Sequence, residues 1–195
     1  FQISAPDGTL IESGVNSSVS FAAGAVSLDG KRIAFTARGN SSDTSLWIRN
    51  LDSLTAQSLP GTDGASFPFW SPDSKTVAFF TRGKLKRLDA TGGPVQTLCD
   101  ATNGRGGAWN PAGVIIFTSD TNTPLSRVNA AGGAVSQLTK VSPTEIGHRV
   151  PVFLPDGKHF LYSALLQSAG KFDIYAGSLD SPNTTKIESA ESPAL

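Results

Sequence analysis

Hydrophobic and polar positions fall into short alternating runs, each closed by a turn signal, and one nine-residue pattern among them recurs. Ser27-Leu28-Asp29-Gly30-Lys31-Arg32-Ile33-Ala34-Phe35 returns as Ser71-Pro72-Asp73-Ser74-Lys75-Thr76-Val77-Ala78-Phe79. A shortened copy is Asn110-Pro111-Ala112-Gly113 with Val114 to Phe117, and a fourth is Leu154-Pro155-Asp156-Gly157-Lys158-His159-Phe160-Leu161-Tyr162. The Asp or Ala position lies at 29, 73, 112 and 156, so the steps are 44, 39 and 44 residues. Such a period matches the ~40–45 residues of a four-stranded propeller blade.

Each copy predicts the same elements. A short strand ends at Val26, Trp70, Trp109 or Phe153, and a Pro-Asp-Gly type turn leads into a strand rich in β-branched and aromatic residues. A third strand is expected at 46–51, 85–88, 125–128 and 174–179, and a fourth at 56–59, 95–98, 135–138 and 184–187. Gly92-Gly93 and Gly132-Gly133 supply turns between the last two strands, where positive φ costs glycine little. No stretch sustains a helical period. A β-sandwich also has many short strands, but it does not require one pattern four times.

The expected fold is therefore all-β, a β-propeller of four-stranded antiparallel blades, about four of them. Residues 1–195 read as a single propeller, a fragment, with a lead-in strand and loop at 1–20. The blades are placed at about 21–60, 65–100, 104–140 and 148–189. Ala112 in place of the turn Asp, Ser74 in place of the turn Gly, and the one-residue deletion in the third copy leave the local turn geometry open.

The Ser-Pro-Asp-Gly-Lys-x-Ile/Val-Ala-Phe pattern, with Leu46-Trp47-Ile48-Arg49 and Phe69-Trp70 around it, resembles the TolB-like, WD-related propeller repeats. The run 46–162 is similar, more narrowly, to C-terminal propellers of bacterial membrane-bound serine/threonine protein kinases. Pro60-Gly61-Thr62-Asp63-Gly64-Ala65, Gly83-Lys84-Leu85-Lys86-Arg87, Gly92-Gly93-Pro94 and His148-Arg149 carry that likeness. The resemblance implies a sensor or interaction domain of a larger, extracytoplasmic protein. It also leaves a gating propeller of a prolyl-oligopeptidase-like hydrolase, or a TolB-like periplasmic interaction protein, as the alternative, since one fold hosts many functions.

Composition narrows the partners. Sixteen Lys and Arg balance sixteen Asp and Glu, which removes the general attraction a non-specific nucleic-acid or anionic-membrane binder uses. Apolar runs such as 114–117 fall far short of the ~20 residues that cross a bilayer. A protein, peptide or small-anion ligand is the expected partner, with no nucleic acid and no membrane contact by this stretch. A second copy completing the propeller is a further expectation. The single Cys99 cannot pair within the chain, and with no methionine and Phe1 first, a fragment or processed product is expected.

Catalytic chemistry is sparse. His148 and His159 are the only histidines, and there is no Gly-x-Ser-x-Gly elbow, Walker-type loop or His-Glu-x-x-His motif. The recurring Asp residues are explained by the turns, His159 reads as an outward polar position, and Arg82, Lys84, Lys86 and Arg87 as a solvated face. No catalytic residue, metal site or cofactor is expected. Counting back from the ends of the first strands aligns Ala22, Ser66, Arg105 and Arg149, preceded by Phe21, Ala65, Gly104 and His148. First strands line a propeller's channel, so Arg105 and Arg149 are expected at one channel mouth. There they can bind a carboxylate or phosphate, with protonated His148 as a third donor and Ser66 and Gly106 lining the approach.

Overall fold

The computed structural model describes residues 10–11, 24–38, 43–168 and 170–190, and among them every regular element is a β-strand. The strands form four antiparallel sheets. In the first, β1 (Leu10–Ile11) and β2 (Gly24–Val26) share one edge of β3 (Arg32–Arg38), followed by β4 (Thr44–Asn50) and β5 (Ala56–Ser58). The second is β6 (Ser66–Trp70), β7 (Thr76–Thr81), β8 (Lys84–Asp89) and β9 (Gln96–Asp100). The third is β10 (Gly107–Trp109), β11 (Val114–Thr118), β12 (Leu125–Asn129) and β13 (Ser136–Gln137). The fourth is β14 (Glu145–Phe153), β15 (His159–Leu166), β16 (Phe172–Ser178) and β17 (Ser181–Ala190). Each sheet runs in chain order, the arrangement of a propeller blade, and the chain divides into two compact units, Phe1–Thr97 and Leu98–Leu195.

The repeated motif is the hairpin between the first and second strands of each blade, and the structure resolves the turn geometry that the sequence left open. Ser27 and Ser71 Oγ donate to Asp29 and Asp73 at 2.6 Å, and the same carboxylates accept the N–H of Lys31 and Lys75. In the third blade Asn110 takes over, its Oδ1 accepting the Val114 N–H at 2.8 Å. One residue fewer is then spanned with the same closing bond, Gly113 N–H to Asn110 O at 3.1 Å. Ser74 adopts φ 60°, close to the 68° of Gly30 and 67° of Gly157, so the turn is kept although a side chain stands there.

Strand alternation gives each blade two faces, and the described contacts bury one against a neighbouring blade. In the first unit, Ala34, Leu46 and Ile48 of the first blade pack on Val77 and Phe79 of the second, with Trp70 and Leu88. In the second unit, Ile116 and Leu125 of the third blade pack on Phe160, Tyr162 and Ala164 of the fourth. The Ala34/Ile116 position thus faces the following blade and the Phe79/Tyr162 position the preceding one. Each buried Phe is worth about 1.5–3 kcal/mol relative to exposure. Polar side chains seal the same contacts: Trp70 Nε1 donates to Ala25 O at 2.8 Å, and Asn110 Nδ2 to Gly157 O at 2.7 Å.

Candidate functional site

The residue after the aligned 66, 105 and 149 position has positive φ in every blade where it is described. Phe67 has φ 47°, Gly106 φ 103° and Val150 φ 50°. For Phe and Val this left-handed conformation is sterically unfavourable. The sheet register breaks at the same place, between Ser66 and Phe69 and between Arg149 and Val152. A bulge of this kind bends the strand and re-aims the neighbouring side chain. Its sequence signal, unread in the repeat alignment, is the paired Phe67-Pro68 and Val150-Pro151. The corresponding first-blade residues, Ala22 and Ala23, lie outside the described residues, as does Phe21.

In the second unit the bulge joins two of the expected site residues. The Val150 N–H donates to Arg105 O at 3.2 Å, so β14 and the lead into β10 meet at Arg105 and Arg149. Gly106 is buried between them, and a Cβ there would lie 3.2 Å from Val150 Cα. Both arginines are half-buried. Burial first, and then the like charge of Arg105, push the Arg149 guanidinium below its ordinary pKa; its buried Nε has no hydrogen-bond partner. Burial also lowers Arg105, where the Asp120 carboxylate acts in the opposite direction. Asp120 was not singled out by the sequence, since it lies outside the repeated motif.

His148 does not join them. Successive strand residues point to opposite faces, so when Arg149 is half-exposed its neighbour turns inward, and His148 is fully buried. Its ring lies 4.6 Å from that of Tyr162, with Nε2 3.2 Å from Glu145 Oε2 and Nδ1 2.7 Å from Thr139 Oγ1. A neutral ring beside a carboxylate carries its proton on Nε2, so Nδ1 accepts from the Thr139 hydroxyl, whose oxygen accepts the Leu125 N–H. Burial lowers the His148 pKa against the pull of Glu145. The expected third donor is therefore a structural histidine, and its partner Glu145 went unread because it precedes the predicted blade boundary.

Ser66 belongs to the first unit, where its hydroxyl is 3.4 Å from Phe80 O. His159 is exposed, 2.5 Å from Asp156. Of the basic run, Arg82 pairs with Asp43 at 3.1 Å, and Arg87 donates twice to Gln96. Among the described residues no group of three or more His, Cys, Asp or Glu gathers to hold a metal ion, and no helix is long and apolar enough to cross a membrane.

No family model matches the chain. An uncharacterized protein of Agrobacterium fabrum (strain C58) is 29% identical over 136 residues, 64% of this chain and 43% of that protein. The chain thus spans under half the length of that relative. Among solved structures, a protein of Agrobacterium tumefaciens described as a TolB gives a TM-score of 0.72 at 16% identity, covering 84% of this chain and 63% of its own. TolB from Acinetobacter baumannii gives 0.63 at 21%, covering 88% and 45%. The fold also occurs within an enzyme, the acylaminoacyl peptidase of Pyrococcus horikoshii, with 0.56 at 15%, covering 81% and 30%. The fold is that of a TolB-like β-propeller.

Proposed function

We propose that the chain is a non-catalytic binding propeller that takes an anionic ligand, a carboxylate or phosphate, between Arg105 and Arg149. The observation that carries this reading is the half-buried Arg149, whose buried Nε has no hydrogen-bond partner and on which the neighbouring charge that acts is the like charge of Arg105. A cation drawn out of water beside another cation is unfavourable until an anion arrives. Guanidinium groups bind planar oxyanions through paired N–H donors. The recurring bulge at Val150 and the absence of a side chain at Gly106, where a Cβ would lie 3.2 Å from Val150 Cα, support the reading that both arginines serve one anion.

The physiological ligand on this reading is an acidic peptide segment or a small anion, bound by the sensing or interaction module of a larger extracytoplasmic protein. A kinase-attached propeller is the fuller form of that role, and it rests on the likeness of the run 46–162. Calorimetric titration with an acidic peptide and, separately, with inorganic phosphate tests it. Binding by the natural chain, lost on replacing both Arg105 and Arg149 by Ala with the melting temperature little changed, is the expected result. Unchanged binding in the double variant would overturn it.

A further inference from the structure

Asn103-Gly104 is the one Asn-Gly pair in the chain, and it stands directly before Arg105. The Asn103 side chain is exposed and takes part in no hydrogen bond among the described residues. A short side-chain amide commonly closes onto nearby backbone, and the neighbouring asparagines do so. Asn110 is buried with both ends of its amide bonded, to Gly157 O and to the Val114 N–H, and Pro111 leaves it no following N–H. Asn129 Oδ1 accepts the Ala131 N–H at 2.8 Å. At Asn103 the amide carbon is open, and Gly104 has no Cβ to shield the next backbone nitrogen.

Such a pair can react within the chain, with water as the only co-reactant. The Gly104 nitrogen bonds to Asn103 Cγ, the Cγ–Nδ2 bond breaks, and the departing amide nitrogen takes the Gly104 proton and leaves as ammonia. Water then opens the five-membered imide. Opening at the side-chain carbonyl gives aspartate, and opening at the backbone carbonyl gives isoaspartate, whose main chain runs through Cβ and Cγ. Nothing is oxidised or reduced. Either product carries a carboxylate, so the formal net charge moves from zero to −1.

We infer that Asn103 is a site of spontaneous deamidation, and that the carboxylate formed there weakens anion binding between Arg105 and Arg149. The second half rests on the function proposed above. The Asn103 N–H donates to Ser119 O and the Thr118 N–H to Gly106 O, both at 3.1 Å, so the lead into β10 is pinned on either side of Arg105. Asp120 follows Ser119, and its carboxylate already acts on Arg105. Two residues of chain span at most about 7 Å, inside the Debye length of about 8 Å at physiological salt, so a carboxylate at position 103 acts on the same guanidinium. A charge-changing modification works through these ordinary electrostatic rules. Isoaspartate also lengthens the main chain ahead of Gly106, where a Cβ would already lie 3.2 Å from Val150 Cα and where the Val150 N–H holds Arg105 O.

The test ages the full chain at mildly alkaline pH and body temperature and maps its peptides by mass spectrometry. Conversion of amide to acid should appear at Asn103 ahead of Asn50, Asn110, Asn122, Asn129 and Asn183, with isoaspartate in the same peptide. Asn103→Gln, whose imide would need a six-membered ring, should stay unconverted. Calorimetric titration with inorganic phosphate reads the consequence. Asn103→Asp should bind about threefold or more weakly than the natural chain, the aged natural chain should lose binding in step with conversion, and aged Asn103→Gln should lose none. An Asn103 that persists in the folded chain but converts in the urea-unfolded one overturns the site, because the folded backbone then keeps the Gly104 nitrogen from Cγ. Equal phosphate binding by the natural chain and Asn103→Asp overturns the effect on the arginines. A natural chain that binds neither phosphate nor an acidic peptide overturns the proposed function and that effect with it, while the peptide map alone still decides the modification.

Discussion

Ser74 Oγ accepts the backbone N–H of Asp29 at 3.0 Å, tying the repeated turn of the second blade to that of the first. Ser74 is 2% exposed and carries φ 60°, a conformation that costs a residue with a Cβ about 1–2 kcal/mol. Its carbonyl also accepts from the Arg32 guanidinium, which in turn lies 5.1 Å from the Trp70 ring. The departure from the turn glycine therefore trades backbone ease for an inter-blade hydrogen bond.

That trade predicts an order. Ser74→Gly loses the acceptor but relaxes the backbone, so its cost is small. Ser74→Ala loses the acceptor and keeps the strain, and should be less stable than Ser74→Gly by about 1 kcal/mol. Urea midpoints of the two variants measure the difference. Equal stabilities would mean that the backbone at Ser74 is unstrained.

The blade architecture was legible because it is written locally, in a nine-residue hairpin whose Ser, Asp and Gly each have a turn role that repetition makes visible. The site was legible only in part. Counting back from Trp109 and Phe153 brought Arg105 and Arg149 to one place, because strand periodicity is fixed. The same count set His148 beside them in sequence, where the pleat sends its ring to the opposite face. The bulge at Phe67 and Val150 escaped because its signal, a proline one residue on, makes sense only when two blades are compared. Glu145, Asp120 and the close approach at Gly147 are long-range facts that no local pattern encodes.

Asp156 sets an acid limit on the fourth turn. Hydrogen bonds from the His159 ring, the His159 N–H and the Lys158 N–H lower its pKa from 3.8 to about 2. A carboxyl depressed on folding stabilises the native state above its unfolded pKa, and that contribution is lost as pH falls through the folded value. The stability gap between the natural chain and Asp156→Asn should be constant above about pH 4 and narrow between about pH 4 and 2. Denaturant titrations at stepped pH check this. A gap that does not narrow would show that the carboxylate is not held by its charge.

Gly147 has φ outside the left-handed region, so its constraint is space. A Cβ there would lie 2.6 Å from Thr121 O and 3.1 Å from both Asn122 Cα and Thr123 N, all backbone atoms. The His148 N–H donates to Thr123 O at 3.0 Å beside it, which holds the loop against the strand. Gly147→Ala should therefore cost about 2–3 kcal/mol, a value typical of overpacking where nothing can yield. Gly133→Ala is the comparison for backbone conformation, since open space surrounds Gly133 but φ is 118°. A thermal melt in which Gly147→Ala is neutral would place the loop farther from the strand.

The buried His148 and Glu145 make the last prediction. Burial acts to raise Glu145, but hydrogen bonds from the Ser142 N–H and from His148 outweigh it and hold the carboxyl below its ordinary value. Burial lowers His148, so the folded state favours the neutral ring. The groups that face the pair are Thr139, Tyr162 and Tyr175; burial pushes the Tyr162 phenol up to about 12, and burial followed by the Glu145 charge raises Tyr175. Both tyrosines therefore stay neutral across the relevant range. A base whose pKa falls on folding binds fewer protons in the native state, so stability is present at neutral pH and declines as pH drops below the unfolded value of about 6.5. Glu145 adds its own loss below its unfolded value, nearer pH 4.5. His148→Gln keeps an amide N–H for Glu145 but removes the titration, so its stability should be flat from pH 7 to about 5, where that of the natural chain slopes downward. His148→Leu leaves the Glu145 carboxylate buried with one partner fewer and should cost about 3 kcal/mol at pH 7. Matching slopes for the natural chain and His148→Gln would show that the acid sensitivity does not come from His148.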